Sequence, residues 1–211
     1  SESVIFPPSS ATTVTLQANP TSQAVGASSA LTATVVDQYG NRVPDNTSVA
    51  FTTSRGNVLT PRLTTNGLAT SSISSTQAGK AFITATSGSA SGGASVVFTP
   101  SSATTVTLQA NPTSQTVGAS SALTATVIDQ FGNAVLNSTN VTFTSNIGNP
   151  IAPASTINGI ATSSISSTVA GTAFITATAG GHSGFTSVVF NPGSPFTVTL
   201  QANPTSQTVG A

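Results

Sequence analysis

Apolar and hydroxyl-bearing residues alternate along most of this chain. In "TTVTLQA" (Thr12 to Ala18), Val14 and Leu16 are separated by single threonines, and Asn19-Pro20 then interrupts the run. Such alternation reads as a half-buried strand, and proline, which has no N–H to give a ladder, ends it. "SALTATVVD" places Leu31, Ala33 and Val35 on one face, and "SVAFTTS" does the same for Val49 and Phe51, because successive side chains of a strand point to opposite faces. "NG" at Asn66-Gly67 and Asn158-Gly159 predicts tight turns. "LATSSISS", "AFITAT" and "SVVF" follow as further strands. In "AFITAT" the more apolar trio is Ala81, Ile83 and Ala85, so Phe82 and its counterpart Phe174 are expected to face outward. No stretch sustains a helical period. About seven short strands in about 90 residues, punctuated by Gly, Pro and Asn, predict an all-β fold of immunoglobulin-like β-sandwiches.

The pattern occurs more than once. "TVTLQANPTSQTVGA" runs from Thr105 to Ala119 and again from Thr197 to Ala211, and "TVTLQANPTSQAVGA" runs from Thr13 to Ala27, each copy 92 residues after the last. Pro8 to Thr99 aligns without gaps on Pro100 to Asn191, at roughly 70% identity, the mark of a modular array. "SVIFPPSS" from Ser3 matches "SVVFTPSS" from Ser95 and "SVVFNPGS" from Ser187. The expected organisation is therefore residues 1–7 as the last strand of a preceding repeat, 8–99 and 100–191 as tandem Ig-like units, and 192–211 as the first strand of a further repeat. Both ends fall inside one frame, so the 211 residues are expected to be a window on a longer array. The alternative is a head-to-tail polymer of short subunits joined by strand exchange.

Composition sharpens this picture through charge. Four Lys+Arg and four Asp+Glu give a formal net charge of +0, and charged residues are 4% of the chain, against about 25% in typical soluble domains. Ser and Thr supply about a third of the residues, so the surface is rich in hydroxyl groups rather than ionic. No Lys/Arg cluster offers a phosphate-binding face, so nucleic acid is not an expected partner. No apolar run approaches the ~20 residues of a membrane helix, so no membrane insertion is expected in this segment. No leader-like stretch opens the sequence, so a secreted precursor is expected to have been processed or excerpted. There is no Cys, which excludes disulfides and thiolate metal sites.

Candidate chemistry is sparse. Asp37 and Asp129 are the acidic pair at equivalent positions, each in "DQ[YF]GN". Calcium would require six to eight oxygens, and the second unit carries no other carboxylate. The expected role is an Asx-type turn, and with the tight-turn residues Asn66, Gly67, Asn158 and Gly159 these are structural positions. His182, the one histidine, aligns with Ala90 in a Gly/Ser-rich stretch and is expected in a loop. A triad would need a base aligned with Ser or Thr, so no enzyme, cofactor or metal is expected. Three N-glycosylation sequons occur, at Asn46, Asn137 and Asn140, and glycans there would hydrate an uncharged surface.

"LTATVVDQYGN" (Leu31 to Asn41), then "VAFTTS", then "NGLATSSISSTQAGKAFITAT", resembles the bacterial Ig-like domains of the invasin/intimin type, known as Big-1. The second unit carries the same order as "LTATVIDQFGN", "VTFTS" and "NGIATSSISSTVAGTAFITAT". The resemblance covers nearly the whole repeat. It implies tandem domains of an extracellular, cell-surface or secreted protein, where they act as stalks that hold a binding tip away from the cell. A host-cell or surface ligand would then be met outside this segment. Charge depletion points elsewhere, toward a self-assembling filament whose faces are buried against copies of the same chain, since near-neutral domains tend to associate. A stalk and a filament both remain expectations, with adhesion as an accompanying role. A carbohydrate-binding module is a distant alternative, because one Tyr and no Trp offer little aromatic platform.

Overall fold

The computed structural model describes residues 9–201 and 209–210. Every regular element among them is a strand. The first unit contains β1 (Thr13–Asn19), β2 (Ser22–Ala24), β3 (Ser28–Val36), β4 (Ser48–Thr53), β5 (Arg62–Leu63), β6 (Leu68–Ser74), β7 (Gly79–Ser87) and β8 (Ala90–Thr99). The second repeats them as β9 (Thr105–Asn111), β10 (Ser114–Thr116), β11 (Ser120–Ile128), β12 (Asn140–Ser145), β13 (Ala154–Ser155), β14 (Ile160–Ser166), β15 (Gly171–Ala179) and β16 (His182–Asn191).

Each unit is a sandwich of two sheets. In the first, β1-β3-β6 faces β2-β8-β7-β4-β5; in the second, β9-β11-β14 faces β10-β16-β15-β12-β13. The chain changes sheet at Pro20 and Pro112: β1 and β9 pair antiparallel with β3 and β11, while β2 and β10 pair parallel with β8 and β16. Proline cannot continue the ladder it interrupts, so the strand leaves one sheet and resumes on the other.

The alternation read from the sequence forms the cores. Leu31, Ala33, Val35, Val49, Ala69, Ile73, Ala81, Ile83, Ala85, Val96 and Phe98 are buried together in the first unit. Leu123, Ala125, Val127, Val141, Ala161, Ile165, Ala173, Ile175, Ala177, Val188 and Phe190 repeat the arrangement in the second. Phe82 and Phe174 lie on the outer face and are exposed. The Lys80 ammonium caps the Phe82 ring, 5.0 Å from its centroid.

Each unit has eight strands rather than about seven. The additional ones are short, and "SQA" and "SQT" have no apolar alternation to announce them. The Gly/Ser-rich stretch before "SVVF" is also strand, since β8 begins at Ala90. Its glycines have a packing role. A Cβ on Gly92 would run into the backbone carbonyl of Val14, and one on Gly184 into that of Val106, so β1 and β9 lie directly against the facing backbone. His182 accordingly opens β16 as an exposed strand residue instead of sitting in a loop.

Register places the loops at two poles. Ala24 pairs with Thr99, Ser28 with Ser74, and Gly79 with Phe98, which gathers residues 25–27, 75–78 and 99 at the trailing pole of the first unit. Thr105 pairs with Ile128 and Ala179 with His182, which gathers the 129–133 loop and the 180–181 turn at the leading pole of the second. Pro100 to Thr104 joins the two poles.

The proposed strand of residues 1–7 lies outside the described residues. The alternation at 197–201 forms no strand: residues 192–201 are without regular structure, with Phe196, Val198 and Leu200 exposed. The equivalent segments β1 and β9 are held by β3 and β11, and among the described residues 197–201 have no such partner.

Gly184→Ala should destabilise the second unit by about 1–3 kcal/mol through overpacking against the Val106 carbonyl, whereas Ser187→Ala on the same strand should stay within about 0.5 kcal/mol. Urea unfolding midpoints of the two variants check this; equal midpoints would show that the facing strand has room.

Candidate functional site at the junction of the two units

The "DQ[YF]GN" loops follow β3 and β11, whose buried faces deliver Asp37 and Asp129 to the pole with almost no exposure, 3% and 2%. In the second unit Asp129 Oδ1 accepts the backbone N–H of Phe131 and of Asn133, both at 2.9 Å. The Asn133 side-chain amide donates to Oδ1 at 3.2 Å and to Oδ2 at 3.1 Å. The Ser101 N–H, one residue beyond Pro100, donates to Oδ2 at 3.0 Å. The carboxylate is thus surrounded by donors, the geometry of an Asx-type turn extended to hold the link between the units. Asp37 does the same in the first unit with Tyr39, Asn41 and Ser9.

Asn133 carries this network across the junction. Its Oδ1 accepts the Ala78 N–H at 2.9 Å, and its Nδ2 donates to the Thr76 carbonyl at 2.9 Å. One amide therefore satisfies both a donor and an acceptor of the 75–78 loop, across the junction and 55 and 57 residues away in sequence. Beside it, the Phe131 ring lies against Gly26, where a Cβ would come within 2.9 Å of the ring. Gly26 has a φ of +85°, which favours glycine. Its own N–H is bonded to the Ser75 carbonyl at 2.8 Å, so the socket for the ring is fixed to the loop that Asn133 grips. The join thus consists of an aromatic plug, a two-point amide clamp and a carboxylate that ties both to the link.

Of the residues singled out in the sequence, Asp129 is at this junction and Asp37 at its equivalent on the leading pole of the first unit. Asn66-Gly67 and Asn158-Gly159 form two-residue turns, all four residues with positive φ (51° and 68°, 51° and 76°), closing the bridges Thr65 to Leu68 and Ile157 to Ile160. Asp45 and Asn137 hold those turns, accepting the Asn66 and Asn158 N–H groups at 2.6 and 2.7 Å. Asn137 therefore has a structural task besides its sequon. Asn46 and Asn140 are exposed, Asn46 in a turn and Asn140 at the start of β12. The sequence reading missed Asn133, Phe131 and Gly26. The available signal was the repetition of all five positions of "DQ[YF]GN", of which an Asx turn uses only the first three.

Burial alone would raise the Asp129 pKa. The hydrogen bonds from Ser101, Asn133 and Phe131 outweigh it and hold the carboxyl below the ordinary aspartate range. Asp37 is shifted in the same direction, burial again opposed by donors from Ser9, Asn41 and Tyr39. Among the described residues no group of three or more His, Asp, Glu or Cys could hold a metal ion.

No protein-family profile matches the chain, and no curated protein matches it by sequence. Solved structures do match by fold. Yersinia pseudotuberculosis InvD superposes with a TM-score of 0.61 at 23% identity, covering 89% of this chain and 60% of its own. The Escherichia coli adhesin FdeC gives 0.52 at 16% identity, covering 88% and 66%. The Yersinia pseudotuberculosis adhesin InvE gives 0.48 at 20%, covering 86% and 60%. The chain thus spans about 60% of the length of the two Yersinia structures.

A folded-state pKa that is lowered stabilises the protein above the unfolded value, about 3.9 for Asp, and this stabilisation is lost as pH falls through the folded value. Asp129 is the one carboxylate between residues 100 and 191. The thermal midpoint of the second unit should therefore be level from neutral pH to about pH 5 and fall below about pH 4. Asp129→Asn should lower the midpoint at neutral pH and flatten the acid limb. An acid limb unchanged by the substitution would contradict the assignment. Both units are immunoglobulin-like β-sandwiches, a fold shared with InvD and with the adhesin FdeC.

Proposed function

We propose that these units are part of the stalk of an extracellular surface protein, holding a binding region away from the surface that carries them. The observation that supports this reading is the junction. Asn133, Phe131 and Asp129 join the trailing pole of one unit to the leading pole of the next. Units joined pole to pole add their lengths, and a short link containing Pro100 restricts bending. The fold shared with InvD and FdeC supports the same reading. Among the described residues no catalytic constellation accompanies it: His182 is exposed at a strand end, and the buried carboxylates are engaged by backbone donors.

A second reading is favoured by composition. With charged residues at 4%, lateral packing of such units meets little electrostatic repulsion, and a filament built from copies of the chain would bury the uncharged faces. Glycans at Asn46, Asn137 and Asn140 would oppose such packing and favour the isolated stalk.

Electron tomography of the native surface with gold-labelled antibody to residues 9–191 separates the readings. The stalk reading expects label on thin single projections standing away from the surface. Label confined to a planar lattice or to bundled fibres would replace it with the assembly reading, and label inside the cell would remove both.

A further inference from the structure

The two units differ unevenly. Of the 27 positions at which residues 8–99 and 100–191 differ, 16 fall between residues 42 and 68 and three lie before residue 42. The 42–68 stretch forms β4, β5 and the loops around them, one lateral flank of the sandwich. It holds Arg42, Arg55 and Arg62, three of the four basic residues of the chain, whose counterparts are Ala134, Ile147 and Ala154. Both units close the same two sheets, so the fold does not require this difference. It points instead to what the flank of the first unit meets.

β5 is the outer strand of one sheet and β6 of the other. Between them lies an open groove of about 560 Å³, whose lining includes Arg62, Leu63, Thr65, Thr70, Ser71 and Ser72. Arg42 and Arg55 donate to the Asn66 carbonyl and the Gln77 side chain, at 2.9 and 3.3 Å. Arg62 is exposed and, among the described residues, neither its guanidinium nor the four hydroxyls beside it make a hydrogen bond. Asp45, the carboxylate of the same stretch, accepts the Asn66 N–H. Leu63 is 58% exposed and gives the groove an apolar patch. In the second unit Ala154, Ser155 and Ile157 replace Arg62, Leu63 and Thr65, and Ser163 Oγ donates to the Ala152 carbonyl at 3.0 Å. The leading pole of that unit is joined to the first, yet Ile157 and Ile160 are 70% and 45% exposed. The flank therefore remains open when units are joined.

We propose that the Arg62 groove binds a carboxylated polysaccharide, with the carboxylate of a uronic acid on the Arg62 guanidinium and sugar hydroxyls on Thr65, Thr70, Ser71 and Ser72. The planar guanidinium fork matches a planar carboxylate with two parallel hydrogen bonds. Hydroxyl side chains both donate and accept, as sugar hydroxyls do. A polymer with a phosphate on every unit calls for a row of cations, and a single one lines this groove. A protein partner calls for a desolvated apolar centre, which Leu63 and Leu68 are too few to supply. The stalk reading requires only the junction; this site adds a contact along the side of the shaft. One charge-assisted pair and a few exchanged hydroxyl bonds make a weak site, with a dissociation constant on the order of 1 mM.

Titration of the whole nitrogen-15 chain with trigalacturonate at low salt, read by amide and arginine side-chain spectra, tests this. The expected result is movement of the Arg62 Nε–H and of the Leu63, Thr65, Thr70 and Ser72 amides. The equivalent Ser155, Ile157, Thr162 and Ser164 amides should stay in place in the same spectra. The methyl ester of the trisaccharide, which keeps the shape and removes the charge, should bind about tenfold more weakly. Arg62→Gln should weaken trigalacturonate binding by about the same factor. Lys80→Gln, which removes a charge from β7 outside the groove, should change it less than about twofold. Arg62 is exposed, so its variant should fold, and its own spectrum reports whether it does. No movement up to about 10 mM trigalacturonate, equal movement in both units, equal affinity for the ester, or a loss with Lys80→Gln as large as that with Arg62→Gln would overturn the proposal. None of these readouts involves the junction, so failure here is distinguishable from failure of the stalk reading.

Discussion

The carboxylate of Asp129 sits where three parts of the chain must meet: the end of a core strand, the loop after it and the link from the preceding unit. Its oxygens collect the N–H groups of Ser101, Phe131 and Asn133. A buried charge is costly unless it is fully hydrogen-bonded, so this group is stable only when the loop and the link are both in place. That requirement converts a local turn into a fixed relation between units. The loop conformation it imposes aims Phe131 at Gly26 and Asn133 at Thr76 and Ala78. Pro100 limits bending of the link, and the carboxylate fixes where it meets the loop.

The rest of the surface is organised differently. Hydroxyl-bearing side chains cover the outer faces, and Ser29, Ser75, Thr64, Thr156 and Ser167 are buried with their hydroxyls bonded to backbone carbonyls. Hydroxyls satisfy loop backbone at close quarters without the desolvation cost of an ion. In the second unit charge is kept for the place where a strong, directional acceptor is needed. In residues 100–191 this leaves a single carboxylate.

Much of this architecture is legible in the amino-acid sequence because strand period and core burial are coupled. Leu31, Ala33 and Val35 alternate with polar residues and are all fully buried, and the Asn-Gly pairs adopt the positive φ that their chemistry favours. The short β2 and β5 are invisible to that argument, since they are specified by pairing with β8 and β4 rather than by their own pattern. The Gly/Ser stretch of β8 misleads for a related reason: glycine usually weakens a strand, but Gly92 is required by the backbone of β1 passing over it. The junction was half legible. Asp129 could be read as a turn residue from its own neighbourhood, but the partners of Asn133 are 55 and 57 residues away, and no local pattern encodes them. Repetition of the whole loop in both units was the remaining trace.

The Asn133 clamp and the Phe131 plug hold the two units as one body. Residual dipolar couplings, fitted separately for residues 9–99 and 100–191, measure this directly. One common alignment tensor is expected for the native chain, and two tensors of different magnitude after Asn133→Ala, with the couplings inside each unit unchanged. Two different tensors in the native chain, or a common tensor that survives Asn133→Ala, would contradict it.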